Sequence, residues 1–204
     1  MWIAQRDGRT KDGNDFTKQG LLKMITMGND KHLLETIRKM NITPLTVSYE
    51  YESCDKMKAR ELALSENGPY VKEPGEDFNS IKQGIFGQKG RVALTIGHPL
   101  GDELDQVPEN LNNNDKLYFI CKLIDKQIYR NYVLYPNNYI AHDLLNQNQE
   151  YAHRYTPEEK SKFEAYLQMQ SQTSDVSEEK MRANLLKIYA TPVDNYMKAI
   201  TEEN

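Results

Sequence analysis

The spacing of apolar and polar positions divides the chain into alternating elements and then changes character near residue 100. Residues 1–6 (MWIAQR) open on an apolar run and read as a short buried strand. Residues 7–17, rich in Gly, Asp, Asn and Lys, read as a loop. Residues 18–27 have helical spacing and Gly28 is placed to stop them. Asp30 can cap a second helix, along which Leu33, Ile37 and Met40 recur. Residues 42–51 form the clearest strand. Leu45, Val47, Tyr49 and Tyr51 share one face, and Thr46, Ser48 and Glu50 the other. A helix is expected over 55–65, a Gly- and Pro-rich loop over 66–76 and a helix over about 78–87. The strand RVALTIG follows, with Val92, Leu94 and Ile96 on one face. Strands separated by helices predict a mainly parallel α/β sheet with flanking helices.

Residues 101–115 (GDELDQVPENLNNND) form an acidic, Asn-rich connection, after which the pattern is helical. Leu117, Ile120, Cys121, Ile124 and Ile128 make one stripe over 115–130, and a second helix covers 137–147. Thr156-Pro157-Glu158-Glu159 is a helix start, with Thr as cap and Glu three positions on. Ser177 opens a helix carrying Met181, Leu185 and Ile188, and Thr191-Pro192 is expected to break it. The expected organisation is a partial α/β unit over 1–100, a connection over 101–115 and an all-helical C-terminal extension over 116–204.

Composition narrows the function classes. The 204 residues carry a net charge of −4, and 38% are hydrophobic. A dedicated nucleic-acid binder carries a basic bias, which this chain lacks, so no nucleic-acid partner is expected. Its longest apolar runs fall far short of the ~20 residues that span a bilayer. The start has no signal-peptide core. Cys54 and Cys121 form no C-x-x-C pair, so neither a zinc site nor a redox pair is indicated, and the chain reads as cytoplasmic.

The segment richest in chemistry is 5–15, QRDGRTKDGND. Gly8 and Gly13 permit tight turns, Arg6, Arg9 and Lys11 supply cations, and Thr10 supplies a hydroxyl. A loop between a strand and a helix is a common ligand site, so one reading is a phosphate or carboxylate grip. The other is a solvated loop whose cations pair with Asp7, Asp12 and Asp15. Glu50, Glu52 and Asp55 also cluster. They read as solvated or ion-paired charge, or alternatively as acid/base groups or metal ligands of a hydrolase. Thirteen tyrosines, many in the helical half, suit packing with hydroxyls at the rim, or an interface.

Three blocks in order resemble the glycerolipid acyltransferases, which include the glycerol-3-phosphate and 1-acylglycerol-3-phosphate enzymes. Ile3 to Lys11 (IAQRDGRTK) is similar to the family's phosphate-binding block. Ile42 to Tyr51 (ITPLTVSYEY) resembles its Pro-led strand, and Gly90 to Leu100 (GRVALTIGHPL) the strand and turn that close its catalytic domain. The resemblance covers about residues 1–100 and is strongest to a bacterial subgroup. It implies that Arg9, with Lys11, Thr10 and Gly8, grips the acceptor phosphate, and that Pro44 shapes the neighbouring wall. Asp7 stands where the family more often has Glu. The implied partners are a glycerol-phosphate acceptor and an acyl donor, with acyl-CoA or acyl carrier protein as co-substrate and no further cofactor or metal. Peripheral contact with the inner face of the plasma membrane is implied by the resemblance alone.

The family's catalytic pair, a His followed five positions later by an Asp, is expected upstream of the phosphate block. Five positions after His32, His98, His142 and His153 stand Ile37, Glu103, Gln147 and Glu158, and all four histidines follow that block. His98 reads as a turn residue, and His142 and Asp143 as side chains that diverge on a helix. No catalytic residue is therefore assigned within this chain. The expectation is that a missing N-terminal segment of the same protein carries the pair. The alternative is a non-catalytic module that binds a phosphorylated ligand or a protein partner.

Overall fold

A computed structural model describes residues 1–5, 10–28, 32–66 and 68–201. Eight helices are formed there: α1 (Gln19–Thr26), α2 (Leu33–Met40), α3 (Asp55–Ser65), α4 (Glu76–Phe86), α5 (Asn113–Arg130), α6 (Pro136–Asn146), α7 (Pro157–Ser171) and α8 (Glu178–Thr201). Two strands, β1 (Leu45–Tyr49) and β2 (Val92–Ile96), complete the elements that position the clefts described below.

The helix boundaries follow local chemistry. Asn112 caps α5 by accepting the Asp115 N–H at 3.1 Å. Thr156 and Glu159 make the expected reciprocal cap of α7, at 3.2 and 2.8 Å. Asp30, read as the cap of α2, lies outside the described residues. The break expected at Thr191-Pro192 does not occur: α8 runs through Pro192 to Thr201. Proline removes the N–H that would reach the Ile188 carbonyl. That helix turn is buried against its neighbours, and packing holds the helix across the lost bond.

The mainly parallel sheet does not form. The sheet has two strands, paired antiparallel with Leu45 opposite Ile96 and Tyr49 opposite Val92. Parallel pairing requires the intervening helix to cross back over the sheet face. Here α3 packs on α8 instead, so the connection reverses the chain beside β1. Residues 1–5, read as part of a strand, join no sheet, and Met1 and Trp2 are exposed.

The helices after residue 100 are not a separate extension. One core joins Leu22, Leu33 and Ile37 of α1 and α2 to Leu104, Val107 and the inward stripe of α5. The other joins Tyr51 and Ala59 to α6, α7 and α8 through Ile140, Phe163, Leu167 and Leu185. Each core draws side chains from both sides of residue 100, because α1 lies against α5 and α3 against α8.

The sheet is oriented contrary to the usual rule, in which the apolar face of an alternating strand is buried. Thr46 and Ser48 are the buried face: the Thr46 hydroxyl donates to the Ile128 carbonyl at 3.3 Å, and the Ser48 Oγ accepts the Val133 N–H at 2.9 Å. Val92, Leu94 and Ile96 face outward and remain 52%, 62% and 69% exposed. Leu45 and Val47 stand beside them on the same face. The bonds from Gly97 N–H to Pro44 O and from Glu50 N–H to Arg91 O set the alternation of the ladder. They make Thr46/Thr95 and Ser48/Ala93 the hydrogen-bonded pairs. The main-chain groups of the outward residues therefore point to the two sheet edges, where no main-chain partner meets them among the described residues.

Candidate functional site

The described part of the loop before α1, residues 10–18, is anchored at several points. The Lys18 N–H donates to the Gln5 carbonyl at 3.0 Å, and the Asn14 N–H to Asp12 at 3.1 Å. The Thr17 N–H donates to the buried Asp125 carboxylate of α5 at 2.6 Å. Tyr129 donates to the Asp15 carbonyl, and Asn195 of α8 to Asn14 at 3.1 Å. Gly13 is the tightest contact. Its φ is +76°, and a Cβ there would collide with the Ile188 carbonyl. This is the carbonyl whose intrahelical donor Pro192 eliminates, so the loop closes on the turn of α8 that the proline opens. Gly13→Ala is expected to cost about 2–3 kcal/mol, from left-handed backbone strain and from pushing the loop off α8. Urea unfolding measures it, and a change below about 0.5 kcal/mol would show that the loop is not held this way.

Two clefts meet beside this loop. One, about 730 Å³, is bounded by Met1 to Gln5, α1, Ile42 to Leu45 and the α5 residues Ile124 and Ile128. The other, about 420 Å³, is bounded by Trp2, Thr10 and Gly13, by β1, and by Tyr132 and Pro192. Of the residues assigned to phosphate contact, Gly8 and Arg9 lie outside the described residues. Thr10 is buried beside the second cleft and donates to the Asp15 carboxylate. Lys11 is paired with Glu61 of α3. Both donors therefore already face carboxylates, and an incoming phosphate would have to displace them. Pro44 borders the larger cleft, and its carbonyl accepts the Gly97 N–H at 2.8 Å. The three sequence blocks thus come together: the first shares both clefts with the second, and the second pairs with the third through the ladder.

The acidic cluster separates into three unlike environments. Glu50 pairs with Arg91 at 3.0 Å, and this guanidinium outweighs partial burial and lowers its pKa. Glu52 pairs with Lys58 at 3.1 Å. Asp55 is 2% exposed and accepts from the hydroxyls of Tyr166 and Tyr189 at 2.6 and 2.7 Å. Burial raises its pKa above the ordinary carboxylate range. Tyr189 also accepts the Glu52 N–H at 3.0 Å. Nothing in the sequence marks the contact of Asp55 with the two tyrosines, because each lies more than a hundred residues from it. Among the described residues, no group of His, Cys, Asp and Glu could hold a metal ion.

The histidines are dispersed. His32 is exposed at the start of α2, and His153 is exposed in the 3-10 turn Ala152–Arg154. His98 is exposed in its turn, and its N–H donates to Gln127 at 3.0 Å. His142 alone is buried. Its Nε2 lies 3.2 Å from Asp194 and its Nδ1 3.8 Å from Asp143, so His142 and Asp143 do not diverge fully on α6. Asp143 is itself held by the Tyr151 N–H and the Tyr155 hydroxyl. This constellation joins α6 to α8 and borders neither cleft. No helix among the described residues is long and apolar enough to cross a membrane. No family model, curated protein or solved structure matches the chain.

Proposed function

We propose that this chain is part of an O-acyltransferase acting on glycerol 3-phosphate or lysophosphatidate in phospholipid synthesis. It supplies the acceptor-phosphate contact, and an upstream segment of the same protein supplies the catalytic His and Asp. The observation that carries the reading is the meeting of the three sequence blocks at one place, beside an outward apolar sheet face with unmet edges. Such a face is suited to burial against further polypeptide. The His takes the proton of the acceptor hydroxyl, the oxygen bonds to the thioester carbon, and the carbon–sulfur bond breaks to release the thiol of acyl-CoA or acyl carrier protein. Exposed Phe78, Ile81, Ile85 and Phe86 on α4 give a surface for peripheral contact at the inner face of the plasma membrane.

Arg9→Ala in the complete enzyme is expected to raise the acceptor KM about 10- to 100-fold with kcat little changed, the signature of a lost charged contact to bound substrate. Unchanged kinetics would remove Arg9 from the site.

The second reading is a non-catalytic module for a phosphorylated ligand or a protein partner. It is favoured by the engagement of Thr10 and Lys11 with carboxylates and by the position of His142 away from both clefts. A native product of 23.7 kDa that binds glycerol 3-phosphate without acyl transfer would establish it.

A further inference from the structure

A third cleft, of about 620 Å³, opens on the far side of the loop, between α5, the end of α8 and residues 14–16. Its walls differ in kind from those of the first two. Lys122 and Lys126 stand one turn apart on α5, and Lys198 reaches the same cleft from α8. Phe16, Phe119 and Tyr129 supply three aromatic rings. Lys122 and Lys126 form no ion pair among the described residues, and the Lys122 ammonium lies over the Tyr118 ring at 5.3 Å. The one carboxylate in the wall, Asp125, is 3% exposed and turned to the Thr17 N–H. In a chain with a net charge of −4, this is a local concentration of positive charge beside aromatic surface.

We propose that this cleft binds a nucleoside diphosphate moiety, with the phosphates on Lys122 and Lys126 and the base against the aromatic wall. Lysines at i and i+4 on a helix are neighbours about 5–6 Å apart, which suits two adjacent phosphates. Aromatic rings accept a base by stacking, whichever base it is. The inference stands apart from the acyltransferase reading: nucleotide binding without acyl transfer would leave it intact.

Isothermal titration of the full chain with ADP at low salt tests it. Saturable one-site binding with Kd below about 1 mM is expected. The double variant Lys122→Ala/Lys126→Ala, checked by circular dichroism to be folded, is expected to weaken it at least tenfold. Lys187→Ala, an exposed lysine of α8 outside the cleft, should leave it unchanged. Coenzyme A carries the same moiety. If it displaces ADP and binds at least tenfold tighter, the ligand is the nucleotide end of a thioester donor; if ADP binds as well or better, it is a free nucleotide. No saturation by about 5 mM ADP, an unaffected double variant, or equal weakening by Lys187→Ala would each overturn the site.

Discussion

Asp55→Ala should destabilise the chain by about 3 kcal/mol, which lowers the melting temperature by roughly 6–12 °C for a protein of this size. The two oxygens of this carboxylate do different work. One accepts the Lys56 N–H at 2.6 Å, and the other accepts both the Tyr166 and the Tyr189 hydroxyls. Alanine removes the acceptor of the buried Tyr189 hydroxyl and of two part-buried donors, and a buried loss of this kind costs about 1–3 kcal/mol. Asparagine is expected to fall between the two. Its carbonyl can keep the tyrosines, but its amide then faces the Lys56 N–H, donor against donor. Tyr189→Phe removes one donor and also the acceptor of the Glu52 N–H, so it too should be measurable.

The same group gives a pH dependence of definite sign. Burial raises the folded pKa of Asp55, so between the ordinary carboxylate value and the raised one the folded state holds more protons than the unfolded. Stability from this group is therefore greatest at the acid end of that window and falls as pH rises through it. The advantage of the native protein over Asp55→Asn should shrink across the same interval. Thermal melts of both proteins through the mildly acidic range measure it. A constant difference, or an Asp55→Ala cost below about 1 kcal/mol, would mean that the cluster is not the staple of α3 to α7 and α8 that the geometry describes.

The second large effect is expected at Leu94. In this chain alone, Leu94→Asp removes only a cross-strand contact with Val47 on a face already exposed, a cost of no more than about 1 kcal/mol. On the proposed reading an upstream segment covers this face, and the substitution would then place an unpaired charge in that interface. Burying such a charge costs several kcal/mol, so activity or assembly should fall by two orders of magnitude or more. The comparison is between urea curves of the chain and acyl-transfer rates of the native-length protein. A fully active Leu94→Asp enzyme would show that the sheet face is not a covered surface.

The sequence was most informative where one residue type decides a local outcome. The Thr156 cap, the α5 stripe and the Gly- and Pro-rich loop before α4 follow from spacing and from donors within four positions. The strands were legible as strands, but their direction was not, because pairing depends on where α3 and α4 settle rather than on the strand residues. Alternation at 45–49 and 92–96 also does not say which face is inward. The hydroxyls of Thr46 and Ser48 meet partners on the α5 side, and this fixes the orientation. Pro192 was misleading because a buried helix turn can lose one bond and continue. At the candidate site, Thr10 and Pro44 border adjoining clefts, and Lys11 borders neither. Asp15, the partner of Thr10, lies within the loop and could be named from the sequence, whereas Glu61 is fifty residues from Lys11 and could not.

The contact of Gly13 with the Ile188 carbonyl also sets an order on biosynthesis. The loop that carries Thr10 and Lys11 is synthesised well before α8, which builds its seat. Gly13 and Asn14 have no Ile188 or Asn195 to meet until that helix has been made. A contact so distant in sequence forms late and after costly loop closure. The nascent chain therefore carries this loop without its native support until α8 is made, and the loop takes its final shape only when that helix docks.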